Sequence, residues 1–190
     1  EYYYNDAGKQ MRTLGQSVES RYFEYVKKPF EFPSDGYQGE YIIEIAKNIA
    51  NNYGESLEQN DEKFLTEAEK VIFGQIKNSL NSLGIKFDTF TNEKSFYKSG
   101  AIKKLLSQLK SKELVYQKDD ATWYKATKVG AKQDKVYIKS TGEPTYRLPD
   151  TAYHKDKIKR GYDVIVDVFG ADHTDTYPDV LSALGALGLK

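Results

Sequence analysis

Cysteine is absent from the 190 residues, which excludes a disulfide framework and any thiolate metal site. Histidine is scarce. His154 and His173 are the only two, which leaves little from which to build another metal site, and no metal ligation is expected. Net charge is lacking as well, with 28 basic residues against 28 acidic. A stand-alone nucleic-acid binder usually carries a basic surplus, so composition argues against autonomous RNA binding and leaves room only for a local basic face. No apolar run approaches the roughly 20 residues of a membrane-spanning helix. These absences fit an intracellular, cytoplasmic protein. The single methionine is Met11, and the chain opens on Glu1-Tyr-Tyr-Tyr4, which reads as a strand already under way. The expectation is that the natural start lies upstream.

What remains is ordinary globular material. Hydrophobic residues make up 39% of the chain, with 14 glycines beside them, and the length suits one domain or somewhat more. After the short strand at residues 1–4, Asp6 is suited to cap a helix starting near Ala7. Ala7, Met11, Leu14, Val18, Tyr22 and Tyr25 form its apolar stripe, and it should stop before Pro29. A turn-rich loop, Phe30 to Gly36, leads to a second amphipathic stripe through Tyr41, Ile42, Ile45, Ile49 and Tyr53. A third runs from Phe64 to Leu83 and ends at Gly84. Alternation from Ile85 to Thr91 predicts a strand, and Ile102, Leu105, Leu106 and Leu109 predict another helix. Leu114–Tyr116 and Thr122–Tyr124 flank Lys118-Asp-Asp120 as a hairpin, with a further strand at Val136 and Ile138. Val164–Phe169 is nearly continuous in apolar residues, the pattern of a strand covered on both faces in a parallel sheet. A helix over about 149–160, with Pro149 in its first turn, precedes it, and one through Val180, Leu181, Leu184 and Leu187 follows.

In open α/β sheets ligands sit beyond the carboxyl ends of strands. That rule nominates Asn5-Asp6, Tyr146–Asp150 and Gly170–His173. Each has a plainer role available. Asp6 could be only a cap. Asp150 could serve the helix macrodipole. Tyr146 could be a rim aromatic, and Asp172 and His173 could only bond the next helix. Lys155, Lys157, Lys159 and Arg160 read by default as a solvated helix face.

Ordered blocks along nearly the whole chain change these odds. Glu1-Tyr-Tyr-Tyr-Asn-Asp-Ala-Gly-Lys-Gln10, Phe32-Pro33 with Gly36-Tyr37, Gly39-Glu-Tyr-Ile42, Trp123, Asp134-Lys-Val136 and Lys139-Ser140 are followed by Pro144-Thr-Tyr146, Leu148-Pro-Asp150, Ala152-Tyr-His154, Asp156-Lys157 and Gly170-Ala-Asp-His173. Together they resemble the central stretch of bacterial arginyl-tRNA synthetases. The match is weakest over about residues 54–80, and Ser140-Thr141-Gly142 stands where the family often has Ser-Asp-Gly. Neither class I signature, His-x-Gly-His or Lys-Met-Ser-Lys, occurs in the chain. The resemblance would put the first upstream of Glu1 and the second, with the helical anticodon-binding domain, downstream of Lys190.

The resemblance implies an α/β fold: part of a class I synthetase nucleotide-binding, Rossmann-like parallel sheet, interrupted by an α+β insertion. Residues 1–29 and 135–190 would belong to the nucleotide-binding fold and 30–134 to the insertion. It implies an enzyme that activates arginine with ATP, Mg2+ accompanying the nucleotide, and transfers it to tRNA. This chain alone is expected to be inactive and to hold no cofactor, and no catalytic residue is assigned. Asp150 matches the position that holds the guanidinium and Tyr146 the aromatic hydroxyl beside it. His173 falls near the substrate's α-substituents. Asp172, His154 and Asn5 would line the pocket or face the adenosine. Two other readings stay open: a non-catalytic interaction module derived from the same fold, and an unrelated nucleotide-binding protein. The lack of a common glycine-rich phosphate loop speaks against the second.

Overall fold

The computed structural model describes residues 1–174 and 176–189, with Asp172 described by its backbone alone. The chain divides into two compact units, Glu1–Asn92 and Glu93–Lys190.

The first unit contains strand β1 (Tyr2–Tyr4), helices α1 (Lys9–Tyr25), α2 (Glu40–Tyr53) and α3 (Glu62–Ser82), and strand β2 (Phe90–Asn92). The three helices form because their apolar residues recur every three to four positions and meet in one core. Val18, Tyr22, Ile42, Ile45, Ile49 and Phe64 are almost wholly inaccessible there. Tyr22 also satisfies its hydroxyl, donating to Gly54 O at 2.8 Å. Asp61 caps α3, its carboxylate accepting from Lys63 N at 2.9 Å.

Asp6 caps nothing. The helix starts later, at Lys9, with no side-chain cap, and Asp6 is buried, accepting from Asn92 Nδ2 at 2.7 Å. That bond ties the ends of β1 and β2, which pair in parallel from Tyr2 opposite Phe90 to Tyr4 opposite Asn92. The strand expected from Ile85 is shortened to Phe90–Asn92 because β1, three residues long, offers no further partner.

The second unit contains α4 (Glu93–Lys98), α5 (Ala101–Ser111), the antiparallel strands β3 (Val115–Lys118), β4 (Ala121–Tyr124) and β5 (Lys135–Ile138), then α6 (Arg147–Lys159) and α7 (Tyr177–Ala186). Asp119 and Asp120 both hold positive φ, 52° and 57°, as a two-residue hairpin turn of the I′ kind requires. Leu105, Leu109, Tyr124, Tyr137, Leu148 and Ala183 lie in its interior. Arg147 at the start of α6 donates from Nε to Asp179 of α7 at 2.7 Å, and Lys135 of β5 reaches the same carboxylate at 3.6 Å.

Val164–Phe169 is not a buried strand. It is irregular, and Val164, Val166 and Val168 are 76%, 79% and 93% exposed. A parallel strand exists only through hydrogen bonds to a neighbour, and no described strand pairs with this run. The architecture is thus mixed α/β, with one parallel strand pair and one three-stranded antiparallel sheet. No described helix is long and apolar enough to cross a membrane.

Candidate functional site

Helix α6 organises the site. Tyr146, which immediately precedes the helix, and Asp150, His154 and Lys157 within it recur at spacings of four, four and three, one stripe of a 3.6-residue helix. The opposite positions, Leu148, Thr151 and Ala152, are buried and fix the helix against the rest of the unit. Thr151 is polar but satisfied, donating to Arg147 O at 2.7 Å. Pro149 sits in the first turn, where a missing N–H costs nothing.

Along the stripe, Tyr146 is about half exposed, with the Arg147 guanidinium 4.8 Å above its ring. Asp150 is partly buried, and no side-chain hydrogen bond or ion pair joins its carboxylate to any described residue. Loss of water pushes its pKa above the usual carboxylate range, and His154, His173 and Lys157 pull in the other direction. His154 places Nδ1 2.9 Å from Asp150 O and Nε2 3.3 Å from Asp167 Oδ2. Lys157 is buried and forms an ion pair with Asp167, its Nζ 4.6 Å from the Tyr153 ring centre. Past the turn at Gly161, Phe169 packs on His154 and stacks on His173 at 5.1 Å and 17°.

Of the residues nominated from sequence, Asp150, His154 and His173 thus come together, with Tyr146 one turn earlier on the same stripe. The side chain of Asp172 lies outside the described residues. Asn5 belongs to the first unit, where its Oδ1 accepts from Ala7 N at 3.0 Å, and it lines a cleft of about 480 Å3 with Tyr4, Asp6, Met11, Phe73 and Lys77.

Two members of the cluster escaped the sequence reading. Lys157 was assigned to a solvated basic face, yet it is 6% exposed. The signal was its spacing, seven residues after Asp150 on the same stripe. Asp167 was absorbed into an apparent apolar strand, although an acid interrupting such a run is itself informative. A partly buried carboxylate with no side-chain partner among the described residues, beside an exposed aromatic rim, is suited to an organic cation. A planar guanidinium matches it best, since its paired donors fit both carboxylate oxygens.

Comparison with known proteins gives the family. Residues 17–176 match the family model described as tRNA synthetases class I (R), catalytic domain. The chain is 54% identical to the arginine–tRNA ligase of Desulfotalea psychrophila, across 99% of this chain and 34% of that protein. It is 49% identical to the arginine–tRNA ligase of Pelodictyon phaeoclathratiforme, across 99% and 35%. It therefore spans about a third of the length of these relatives. A crystal structure from Campylobacter jejuni described as an arginyl-tRNA synthetase superposes with a TM-score of 0.83 at 32% identity, over 99% of this chain and 42% of that one. The Thermus thermophilus arginyl-tRNA synthetase, at 17% identity and a TM-score of 0.56 over 98% of this chain and 38% of that one, shares the fold.

Proposed function

The chain belongs to the class I arginyl-tRNA synthetase catalytic-domain family, and from that premise we propose that it contributes the guanidinium end of the arginine pocket to an enzyme that activates arginine with ATP and esterifies it to tRNA. Asp150 is the carboxylate that meets the guanidinium, and the Tyr146 hydroxyl lies beside it. His173 stands near the substrate's α-substituents, His154 lines the same wall, and Asn5 and Asp172 belong to the pocket or the adenosine side. ATP with Mg2+, arginine and tRNA are the partners of the whole cytoplasmic enzyme. No residue of this chain is assigned to the phosphates, because the two sequence signatures that handle them do not occur in it. Residues 1–29 and 135–190 are assigned to the nucleotide-binding fold and 30–134 to the insertion.

The observation that carries this reading is the Asp150 carboxylate, partly buried and unpaired among the described residues. Removing the carboxylate would leave the bound guanidinium desolvated without its counter-charge, which costs about 2–5 kcal/mol. In the complete ligase, Asp150→Asn should therefore lower kcat/KM for arginine roughly 30-fold to several thousand-fold in arginine-dependent ATP–pyrophosphate exchange, with tRNA present. Near-normal kinetics would overturn the assignment. The 190-residue chain alone should give no exchange above background, and robust exchange by a pure preparation would require phosphate-handling residues within it.

A further inference from the structure

Arg147 puts a guanidinium of the chain's own within a helical turn of the carboxylate read as the guanidinium site. Arg147 and Asp150 stand at i and i+3 at the start of α6, a spacing that makes two side chains neighbours on a helix surface. Elsewhere in this chain arginine takes the acid a turn away. Arg21 pairs with Glu24 at 2.7 Å in α1, and Arg160 at the end of α6 pairs with Asp156 at 2.7 Å. Arg147 behaves differently. Its Nε donates to Asp179 of α7 at 2.7 Å, its guanidinium lies 4.8 Å over the Tyr146 ring, and Asp150 has no side-chain partner among the described residues. The Asp179 side chain is 8% exposed and that of Arg147 19%, so water and salt screen this pair less than a surface pair. Asp179 stands in the first turn of α7, where the helix dipole favours a negative charge. Its N–H donates to Thr176 O at 3.2 Å, and Lys135 of β5 lies 3.6 Å from the same carboxylate.

We propose that Asp179 is a positioning residue for arginine binding, which draws Arg147 away from Asp150 and so keeps that carboxylate free of the chain's own guanidinium. The proposal rests on the arginine reading of Asp150. A carboxylate that selects a guanidinium accepts any guanidinium within reach. One tethered a single helical turn away competes with free arginine at an effective concentration of about the millimolar range. Deleting Arg147 is one way to remove that competitor, and engaging it with a second carboxylate is another. The structure takes the second way: the bond to Asp179 holds the Arg147 guanidinium over the Tyr146 ring, on the rim of the site. Asp179 thereby touches no substrate and acts only through Arg147.

The test compares Asp179→Asn with Asp179→Asn combined with Arg147→Met in the complete ligase, by arginine-dependent ATP–pyrophosphate exchange with tRNA present. Asparagine keeps an oxygen acceptor of nearly the same shape, but a neutral amide holds a guanidinium more weakly than ionised Asp150 does. KM for arginine should rise about fivefold, the result of Arg147 occupying Asp150 roughly four-fifths of the time, while kcat at saturating arginine is kept. Adding Arg147→Met should return KM to within about twofold of the parent. If Asp179 only seated α6, the second substitution would remove a further tie of that helix and could not rescue. With Asp150→Asn impaired, a normal KM in Asp179→Asn overturns the proposal, and so does a double variant as impaired as the single. Should the single variant fail to fold, the double decides: a KM near the parent's upholds the proposal, and a raised one overturns it. A crystal structure of the Asp179→Asn ligase gives a readout that does not depend on arginine. Arg147 should lie within hydrogen-bond distance of the Asp150 carboxylate, and finding it still on residue 179 overturns the proposal. Normal arginine kinetics in Asp150→Asn would instead remove the arginine reading, and that crystal structure would still decide where Arg147 goes, so the two failures are distinguishable.

Discussion

Burial of the Asp150 carboxylate sets the needs of the ligand against those of the fold. Its pKa in the folded chain lies above the unfolded value, so the folded state binds more protons in the window that begins at the usual carboxylate range and runs upward. Stability from this group is therefore present at low pH and is lost as pH rises through that window. Asp150→Asn should leave the melting temperature at pH 7 unchanged or slightly raised, and the difference should vanish below about pH 4. If Asp150 serves the α6 macrodipole instead, the same change should lower stability at pH 7, by about 1 kcal/mol or less. Thermal melts at the two pH values separate these outcomes by sign. Tyr146→Phe removes one neutral hydroxyl at an exposed rim and should reduce kcat/KM for arginine in the complete ligase by the equivalent of about 0.5–1.5 kcal/mol. Its melting curve should stay put.

At the level of elements, the placement of α6 depends on Asp179. That carboxylate, 8% exposed as a side chain, receives Arg147 from α6 and Lys135 from β5, each 19% exposed. Asp179→Ala strands both cations and should cost about 2–4 kcal/mol in urea unfolding, just under the full cost of breaking a wholly buried pair. A wild-type midpoint would show that α6 is held by its apolar face alone. Most elements here could be read from sequence because their information is local. The stripes Val18–Tyr22, Ile42–Ile49 and Ile102–Leu109 state a helix and its buried face at once, and Lys118-Asp-Asp120 states a turn. Val164–Phe169 could not be read that way, since a strand is a relation between two segments and composition reports only one. Asp6 misled for a similar reason. It has a cap's chemistry, but its partner, Asn92, lies 86 residues away. In the site, Asp150 was legible from its place beyond a predicted strand and from the resemblance, and His154 from the resemblance. The Asp167 contacts depend on a chain reversal that no pattern announces.

Taken whole, the chain has equal numbers of acidic and basic residues but does not distribute them evenly. Glu1–Asn92 holds 10 basic and 15 acidic residues, Glu93–Lys190 holds 18 and 13, so the formal charges are −5 and +5. The local basic surplus that composition left open therefore resides in the second unit, and the total hides it. The same neutrality has a bearing on the exposed run at 164–169. A molecule with no net charge has little long-range repulsion, and its colloidal behaviour is left to short-range attraction. Val164, Val166 and Val168 supply that attraction, on backbone with no strand partner among the described residues. Solubility of the 190-residue chain should pass through a minimum near pH 7 and recover on either side, and Val166→Lys with Val168→Lys should raise that minimum severalfold by light scattering. A flat solubility profile, unchanged by the two lysines, would mean that neither the charge balance nor the valine run governs how this chain meets copies of itself.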